Sequence, residues 1–184
     1  WREEVYTVKR TMTSLTSFHC KDLLKFNLVN FDPLTETYAL SFYMSYMAHW
    51  PEYFQKVENV SGNCVGYIMG KAEGNGDNWH GHVTALSVTP YYRRCGLARK
   101  LMKYLEDVSE AKKTYFVDLF VRKSNNVAIS MYESLGYIVY RTVLDYYSGD
   151  PDEDAYDMRK AMSMDVEKKS VIPRDQPVRP EDID

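Results

Sequence analysis

One segment of the chain, Val83–Met102, constrains the fold most, because a strand pattern runs through a basic loop onto a helix pattern. The strand part is rich in β-branched residues and ends at Pro90. The loop Arg93–Ala98 opens onto Leu97–Val108, where three leucines and a valine form one helical stripe. A helix start presents unpaired N–H groups and the positive end of the helix dipole, and Gly96 permits close approach of a ligand. The segment therefore predicts an α/β fold with a diphosphate-binding cradle.

The cradle is expected to comprise the whole loop: Arg93, Arg94, Cys95, Gly96, Leu97 and Ala98. The loop matches neither GxxxxGK[ST] nor GxGxxG, so the pattern does not indicate a P-loop or a dinucleotide-binding turn. A helix start with a tight turn and solvated arginines is an alternative interpretation of the same residues. The loop position of Cys95 contributes main chain, so we do not expect a nucleophilic thiol there.

The remaining patterns alternate between strands and helices in an order that predicts a mixed α/β domain over residues 12–162. The expected elements are a strand at Leu15–Cys20, helices at Lys21–Val29 and Leu40–Trp50, strands at Cys64–Ala72 and His82–Val88 joined as a hairpin, the helix Leu97–Val108, a strand at Tyr115–Val121, a helix at Val127–Leu135, and a strand at Tyr137–Leu144. Residues 1–11 are expected to be an upstream extension, natural or artificial. Residues 163–184 are expected to be a polar tail that can dock on a partner.

Composition narrows the classes of function. The 184 residues are 45% hydrophobic and 27% charged, as in ordinary globular domains, and the net charge of −3 argues against general nucleic-acid or membrane-surface binding. No apolar run approaches the roughly 20 residues of a membrane span, and no secretory signal is visible. Cys20, Cys64 and Cys95 lack disulfide or zinc spacing, which predicts reduced thiols in a cytoplasmic protein. His80 and His82 lack a third ligand, so we expect no metal site.

A second motif, NxxAxxxYxxxGY, spans Asn125–Tyr137 and places Asn125, Ala128 and Tyr132 on one side of a helix. Together with the RxxGxA loop that follows a strand, it resembles the GCN5-related N-acetyltransferase (GNAT) superfamily. The resemblance implies a mixed α/β fold with a central, mostly antiparallel sheet, splayed between two parallel strands, and about four helices. It also implies acetyl-CoA as the co-substrate.

The resemblance assigns further cofactor contacts to this chain. It implies that the loop binds the diphosphate and that the pantetheine arm lies between the splayed strands, against the main chain of Leu86, Ser87 and Val88. Asn125 and Tyr132 are expected to complete the cofactor site. The N–H of Val88 would stabilise the oxyanion, and Tyr132 would donate a proton to the departing thiolate.

A closer resemblance extends over nearly all of residues 12–184. It is carried by Phe31–Tyr38, His49–Phe54, Trp79–Leu86, Glu153–Ala161 and Val178–Asp182, which look like the catalytic subunits of NatB-type N-terminal acetyltransferases. The resemblance implies acetylation of nascent chains that begin Met-Asp, Met-Glu, Met-Asn or Met-Gln. It further implies a large helical-repeat auxiliary subunit of NatB, contact with the ribosome through that subunit, a cytosolic location, and no direct contact with nucleic acid or membrane. The helices between Lys21 and Trp50 are our expected contact surface for that subunit. The acidic run Asp150–Asp157 is typical of a solvated loop, and the resemblance implies that it leads into a final strand, Ala155–Ala161.

Peptide-binding positions of that family map here onto Glu36, Tyr38, His82, Thr84, Tyr146 and Tyr147. Since His82 and Thr84 are two apart on a strand, both side chains should share one face and hydrogen-bond the second residue of the substrate. The tyrosines, two of them in a loop after Leu144, would wall the Met side chain. Tyr38 and His82 are also expected beside an ordered water that removes the amine proton. Glu36 would receive the ammonium or order a nearby loop.

Two other functions stay open on the residues alone. The chain could be a GNAT enzyme for lysine or small amines, although a lysine pKa near 10.4 calls for a stronger base than His82 and Thr84 offer. It could also be a non-catalytic subunit that keeps the fold for binding. At single positions, Tyr132 and His82 could be structural, and Asp118 on the buried strand is expected to be structural rather than a base.

Overall fold

The computed structural model describes residues 12–31 and 35–183, which build a seven-stranded sheet with helices on both faces. The strands are β1 (Thr13–Ser17), β2 (Gln55–Asn59), β3 (Cys64–Glu73), β4 (His80–Val88), β5 (Phe116–Arg122), β6 (Ile138–Tyr147) and β7 (Glu153–Ala161). The α-helices are α1 (Asn27–Asn30), α2 (Leu40–His49), α3 (Leu97–Ala111) and α4 (Asn126–Ser134). The spatial strand order is β1-β2-β3-β4-β5-β7-β6. Neighbouring strands are antiparallel except β4 and β5, which confirms the predicted fold class.

The parallel strands β4 and β5 stay together over only a short distance. They pair from His80–Val83 against Phe116–Leu119 and not further along. Beyond that point β4 remains paired with β3 as far as Val88, and β5 remains paired with β7 as far as Arg122. The two strands therefore diverge and leave a gap in the middle of the sheet, as the family resemblance implied.

Strand β3 shows how the two faces of the sheet divide the core. Ile68 points into an apolar cluster shared with α3 and α4, whereas its neighbours Tyr67 and Met69 point into a second cluster shared with α1 and α2. This alternation is the two-residue period of a strand. The stripe of α3 is buried at Leu97, Leu101 and Leu105, and each such leucine stabilises the fold by about 2 kcal/mol. The packing fixes α3 and α4 on one face, next to the gap.

The predicted helix Lys21–Val29 is wrong. The chain forms a 3-10 helix at Cys20–Leu24 and then the single turn of α1. Asp22 fixes the start of the 3-10 helix as part of a capping box, because its carboxylate accepts a hydrogen bond from the main-chain N–H of His19 at 2.8 Å. The same carboxylate lies 2.7 Å from Nζ of Lys56, which ties the turn to the sheet.

Strand β2 is missing from the sequence prediction. Its residues, QKVEN, include one aliphatic side chain, Val57, so no strand pattern is visible. Gln55 and Lys56 are nevertheless buried. Lysine is normally exposed unless it is paired, and here the ion pair with Asp22 permits its burial. The strand could not be predicted because the burial of Lys56 depends on an ion pair with a residue that is distant in the sequence.

The polar tail lies along the edge strand β6. The N–H of Val178 donates to the carbonyl of Thr142 at 3.1 Å, and the N–H of Leu144 donates to the carbonyl of Val178 at 2.9 Å. The N–H of Arg174 donates to the carbonyl of Tyr140 at 2.6 Å. These bonds cover hydrogen-bonding groups of an edge that would otherwise be open for pairing with other chains.

Candidate active site

A cavity of about 180 Å³ lies where β4 and β5 diverge. Its lining residues come from the loop before α2, from both strands, from α4 and from the end of β6. They are Thr35, Glu36, Tyr38, His82, Val83, Thr84, Ala85, Leu86, Ser87, Leu119, Phe120, Val121, Arg122, Asn125, Ala128, Tyr132, Tyr146 and Tyr147. All six predicted peptide-binding residues are present, together with four of the predicted cofactor-binding residues: Leu86, Ser87, Asn125 and Tyr132. The structure therefore brings the predicted peptide-binding residues and these four cofactor-binding residues into one space.

A β-bulge in β4 shapes the floor of this cavity. Val83 pairs with Gly70 and Ala85 pairs with Met69, so Thr84 is an extra residue on its strand. Bulges re-aim side chains locally. His82 and Thr84 both line the cavity, which is the shared face expected from the sequence.

The main chain of β4 beyond the bulge presents polar groups to the gap. The N–H of Thr89 donates to the carbonyl of Val65, so the neighbouring pair of Val88 with Gly66 carries no bonds between the strands. The carbonyl of Val88 instead accepts a hydrogen bond from Nε of Arg93 at 2.9 Å. The N–H and carbonyl of Val88 thus point away from β3, toward the gap.

The same alternation determines the direction in which the main-chain groups of the two preceding residues point. It turns the main chain of Leu86 toward the gap and the main chain of Ser87 toward β3. The expected main-chain contact at Ser87 is therefore corrected. Ser87 contributes its hydroxyl, which forms a short hydrogen bond with the hydroxyl of Thr35 in the cavity wall.

The predicted cradle lies at the carboxyl end of β4, outside the cavity itself. Gly96 has φ +76 and caps α3. A Cβ there would meet no atom within 4 Å, so the left-handed backbone, not crowding, calls for glycine. The N–H of Lys100 is the first to bond back into the helix, to the carbonyl of Gly96 at 3.1 Å. The N–H groups of residues 97–99 therefore have no partner within α3 and are available to an anion.

The other residues of the loop differ in the groups that they can present to a ligand. Leu97 is buried in the core, so only its main chain is available at the cradle. Arg94 adopts φ +61, a left-handed conformation that is uncommon for a residue with a Cβ. Cys95 is exposed, and its thiol donates to the carbonyl of Arg93. That thiol does not line the cavity.

Helix α4 brings Tyr132 to the cavity wall. The tyrosine is 8% exposed, and its ring meets the ring of Tyr137 edge-on at 5.9 Å. Burial raises the pKa of Tyr132, so the hydroxyl stays protonated at neutral pH. Within the described chain, that hydroxyl has no hydrogen-bond partner. Asn125 caps the helix by accepting from the N–H of Ala128 at 3.2 Å, and this cap holds α4 in place.

His82 and Asp118 form a side-chain pair across the parallel strands. Nδ1 of His82 lies 2.8 Å from Oδ1 of Asp118, and the two residues are directly opposed in the register. Burial alone would raise the pKa of Asp118. The hydrogen bond from His82 and the electrostatic interactions with His82, His80 and Arg159 outweigh burial, so the pKa of Asp118 lies below its usual value. The carboxylate is therefore ionised at neutral pH.

Tyr38 reaches across from the loop before α2 to the bulge. Its hydroxyl donates to the carbonyl of Thr84 at 3.2 Å, and its ring stacks on Phe42 with 4.6 Å between centres. Burial, together with the nearby Glu36, raises the pKa of Tyr38. The hydroxyl of Thr84 donates to that of Tyr46 at 2.9 Å. These bonds fix the positions of Tyr38 and Thr84 at the cavity.

Tyr146 and Tyr147 lie at the end of β6, not in a loop after Leu144 as predicted. Tyr146 stacks on Phe120 with 4.7 Å between ring centres, and burial raises the pKa of Tyr146 to about 12. The hydroxyl of Tyr147 donates to the carbonyl of Phe120 at 3.1 Å. Strand geometry therefore holds both rings in the wall, where the sequence suggested a loop.

Glu36 is held by Arg122 at the mouth of the cavity. The carboxylate lies 2.8 Å from the guanidinium, which also bonds Glu153 at 3.1 Å. The guanidinium sits over the ring of Tyr147, 4.1 Å from its centre. Of the two roles expected for Glu36, this arrangement matches the ordering of a loop.

Sequence reasoning missed three contributors to this site. Asp118 was visible as a lone carboxylate in an apolar strand but was interpreted as structural. Arg122 and Phe120 follow on the same strand, beyond the point where β4 departs, and both line the cavity. Their position directly after the predicted splay was the signal that could have identified them.

Metal-binding clusters and membrane-spanning helices are both absent from the part of the chain that the structure describes. No group of three or more His, Cys, Asp or Glu side chains that could hold a metal ion occurs within residues 12–31 and 35–183. In the same part of the chain, no helix is long and apolar enough to cross a membrane.

Residues 21–137 match the sequence model of the acetyltransferase (GNAT) family. The N-terminal acetyltransferase B complex catalytic subunit NAA20 of Arabidopsis thaliana is 59% identical over 174 residues, which cover 94% of this chain and 99% of that protein. N-alpha-acetyltransferase 20 of Dictyostelium discoideum is also 59% identical, with the same coverage of both chains.

Among solved structures, Chaetomium thermophilum Naa20 in complex with a bisubstrate analogue matches with a TM-score of 0.87 at 45% identity, covering 91% of this chain and 97% of that one. A chain of the NatB acetyltransferase complex bound to CoA and MES matches with a TM-score of 0.75 at 44% identity. That match covers 81% of this chain and 99% of the other.

Proposed function

The chain belongs to the GNAT acetyltransferase family, and from this premise we propose that it acetylates the α-amine of polypeptides beginning Met-Asp, Met-Glu, Met-Asn or Met-Gln. The acetyl donor is acetyl-CoA, which supplies an acetyl group activated as a thioester. The observation that carries the proposal is the single cavity between the diverging strands, where Tyr38, His82 and Thr84 face Tyr132. A peptide and an acetyl donor would meet there.

The groups of this chain fit acetyl-CoA. The unbonded N–H groups of residues 97–99, with Arg93 and Arg94 nearby, suit a diphosphate. Main-chain groups of Leu86 and Val88 point into the gap, where an extended amide-bearing arm can bond to them as an added strand would. The gap ends at Tyr132 and His82. The expected cofactor path therefore leads from the cradle to the peptide side.

The peptide side suits a Met followed by a polar residue. Tyr38, Tyr146 and Tyr147 offer three half-buried rings that can wall an unbranched thioether side chain. His82 and Thr84 lie on the floor between these rings and can bond an amide, or a carboxylate when Nε2 of His82 carries a proton. A polar side chain that leaves water needs such partners, since burying it without them is costly.

Deprotonation of the substrate amine does not require a strong base. A peptide α-amine has a pKa of about 7.7–8.0, so a sizeable fraction is already neutral near pH 7. His82 and Tyr38 hold the water that takes the proton. The neutral amine attacks directly, without an acyl-enzyme. The N–H of Val88 stabilises the developing oxyanion, and Tyr132 donates its proton to the leaving sulfur.

The proposed partner is a large helical-repeat auxiliary subunit, through which the chain reaches nascent polypeptides on cytosolic ribosomes. Exposed apolar side chains near α1 and α2 support a protein interface: Leu24 is 83% exposed, Phe31 80%, Leu40 60% and Met44 50%. Direct contact with nucleic acid or membrane is not part of the proposal.

A peptide assay tests the proposal. The chain, alone and with the auxiliary subunit, is given acetyl-CoA and peptides beginning Met-Asp, Met-Asn or Met-Leu, or lysine peptides blocked at their amino ends. One hydrogen bond to a charged group is worth about 1.5–3 kcal/mol, so Met-Asp should exceed Met-Leu roughly 10- to 100-fold in kcat/KM. Preference for the blocked lysine peptides would instead indicate a lysine acetyltransferase. Acetyl-CoA binding without any transfer, even with the subunit, would indicate a non-catalytic role.

A further inference from the structure

We infer that Asp118 is a positioning residue for acetyl transfer, because its carboxylate fixes which nitrogen of His82 faces the cavity. The inference rests on the function proposed above and deepens it. It assigns a role to a buried carboxylate that the mechanism so far leaves unused, at a position that the sequence alone suggested was structural.

Geometry determines the tautomer of His82. An ionised carboxylate only accepts hydrogen bonds, so the 2.8 Å contact with Oδ1 of Asp118 requires a hydrogen on Nδ1 of His82. In the neutral ring Nε2 then carries a lone pair. His82 lines the cavity, and no described residue occupies its Nε2. The pair therefore presents a proton acceptor to the space where the peptide amine would lie.

The carboxylate is itself held in place. Oδ2 of Asp118 lies 3.7 Å from Nε2 of His80, whose Nδ1 bonds the carbonyl of Asn78 at 2.7 Å. Arg159 is opposite Asp118 in the pairing of β5 with β7, and its guanidinium bonds Asp157. Among the residues that the structure describes, the side-chain hydrogen bond of Asp118 is the one with His82.

The proton transfers balance as follows. The water held by His82 and Tyr38 takes one proton from the substrate ammonium and gives one to Nε2 of His82. An N–H bond of the ammonium breaks, an Nε2–H bond forms and the electron pair stays on the amine nitrogen. Asp118 lies at the other edge of the imidazolium and favours its charge. The amine then forms a bond to the acetyl carbon as the carbon–sulfur bond breaks, and the sulfur takes a proton from Tyr132. The nitrogen then gives its second proton to the tyrosinate of Tyr132, which restores the phenol. The proton on Nε2 of His82 passes to water.

The test replaces Asp118 by an amide. Asparagine can donate as well as accept, so Asp118→Asn no longer fixes the ring of His82. We expect kcat/KM on a Met-Asp peptide to fall about 10²-fold, mainly in kcat, with the Kd of acetyl-CoA unchanged within about twofold. Nitrogen NMR of histidine-labelled protein should show the Nδ1–H tautomer for His82 in the wild type and a loss of that form in the variant.

A double-mutant cycle separates positioning from general stability. Residues that act as one unit are not additive, so Asp118→Asn should cost little more once His82→Gln is present. The inference would be overturned if the losses in kcat/KM of the two single variants multiplied in the double variant. It would also be overturned if kcat/KM of Asp118→Asn stayed within about twofold of wild type. If Asp118→Asn does not fold, the wild-type spectrum decides, because an Nε2–H tautomer contradicts the inference and an Nδ1–H tautomer supports it. The NMR spectrum can be recorded without any turnover. A wild-type protein that shows the Nδ1–H tautomer but does not acetylate Met-Asp peptides would therefore contradict the proposed function while supporting the tautomer assigned to His82.

Discussion

The guanidinium of Arg122 lies over the ring of Tyr147, 4.1 Å from its centre. The same guanidinium bonds Glu36 in the loop before α2, so one side chain connects three walls of the cavity mouth. Because cation–π contacts and ion pairs in partly exposed positions are each worth about 0.5–1 kcal/mol, the connection is modest and reversible. It suits a wall that must admit a peptide.

Removing this connection should weaken peptide use. We expect Arg122→Ala to raise the KM for a Met-Asp peptide about fivefold, corresponding to about 1 kcal/mol, with a smaller change in kcat. Steady-state kinetics with varied peptide measures this. Lys123→Ala is the matched control, since Lys123 pairs with Asp154 and does not line the cavity. Equal effects of the two variants would contradict the assignment.

The hydroxyl of Tyr132 should matter for turnover more than for binding. We expect Tyr132→Phe to lower kcat about 10²-fold with little change in KM, because a proton donor acts only as the sulfur leaves. Tyr137→Phe removes a neighbouring buried hydroxyl that does not line the cavity, so its kcat should stay within about twofold of wild type. Wild-type turnover in Tyr132→Phe would remove Tyr132 from this role.

Two glycines with the same backbone conformation allow a controlled test of the cradle. Gly96 has φ +76 and Gly62 has φ +75, and a Cβ at either position meets no atom within 4 Å. Alanine at each should cost about 1 kcal/mol of stability through backbone strain alone. Calorimetric titration should show weaker acetyl-CoA binding for Gly96→Ala and an unchanged Kd for Gly62→Ala. A Kd that is unchanged in both would place the diphosphate elsewhere.

Asp165 should contribute acid-sensitive stability to the tail. It accepts hydrogen bonds from the N–H groups of Lys169 and Ser170 at 3.0 and 2.8 Å. Burial would raise its pKa, but these bonds and the Ser170 hydroxyl outweigh burial and lower it. A lowered folded-state pKa adds stability that is present above the unfolded pKa of about 3.9 and is lost as pH falls further.

Thermal melts of Asp165→Asn and wild type between pH 7 and pH 3 check this contribution. We expect the variant to melt lower at neutral pH, by about 2–4 °C for each kcal/mol lost, and the difference to shrink below about pH 4. Asp107→Asn, at an exposed pair with Lys103, should show little difference at any pH. A difference that grows with acid would reverse the assigned sign.

Much of the chemistry could be predicted because it depends on neighbours in the chain. The cradle needs a glycine at one helix start, and the helical stripe behind it is visible within a dozen residues. The cap of α4 by Asn125 reaches Ala128, three residues away. Such features are set by local backbone geometry, so the amino-acid sequence determined them.

Other features depend on how distant strands align. His82 and Asp118 are 36 residues apart and meet only through the parallel register of β4 and β5. Glu36 and Arg122 are 86 residues apart, and Lys56 can be buried in β2 only because Asp22 pairs with it. The bulge at Thr84 likewise belongs to a pairing, not to a strand by itself.

The amino-acid sequence by itself thus determined the glycine-capped start of α3, the order of most elements and many of the residues that surround the cavity. Tertiary structure decided which nitrogen of His82 is bonded, which main-chain groups of β4 face the gap and what holds Glu36. The physical reason is that a hydrogen bond or an ion pair requires two groups at a defined distance and angle. For groups separated by tens of residues, that distance is set only when the sheet register and the packing of both faces are complete.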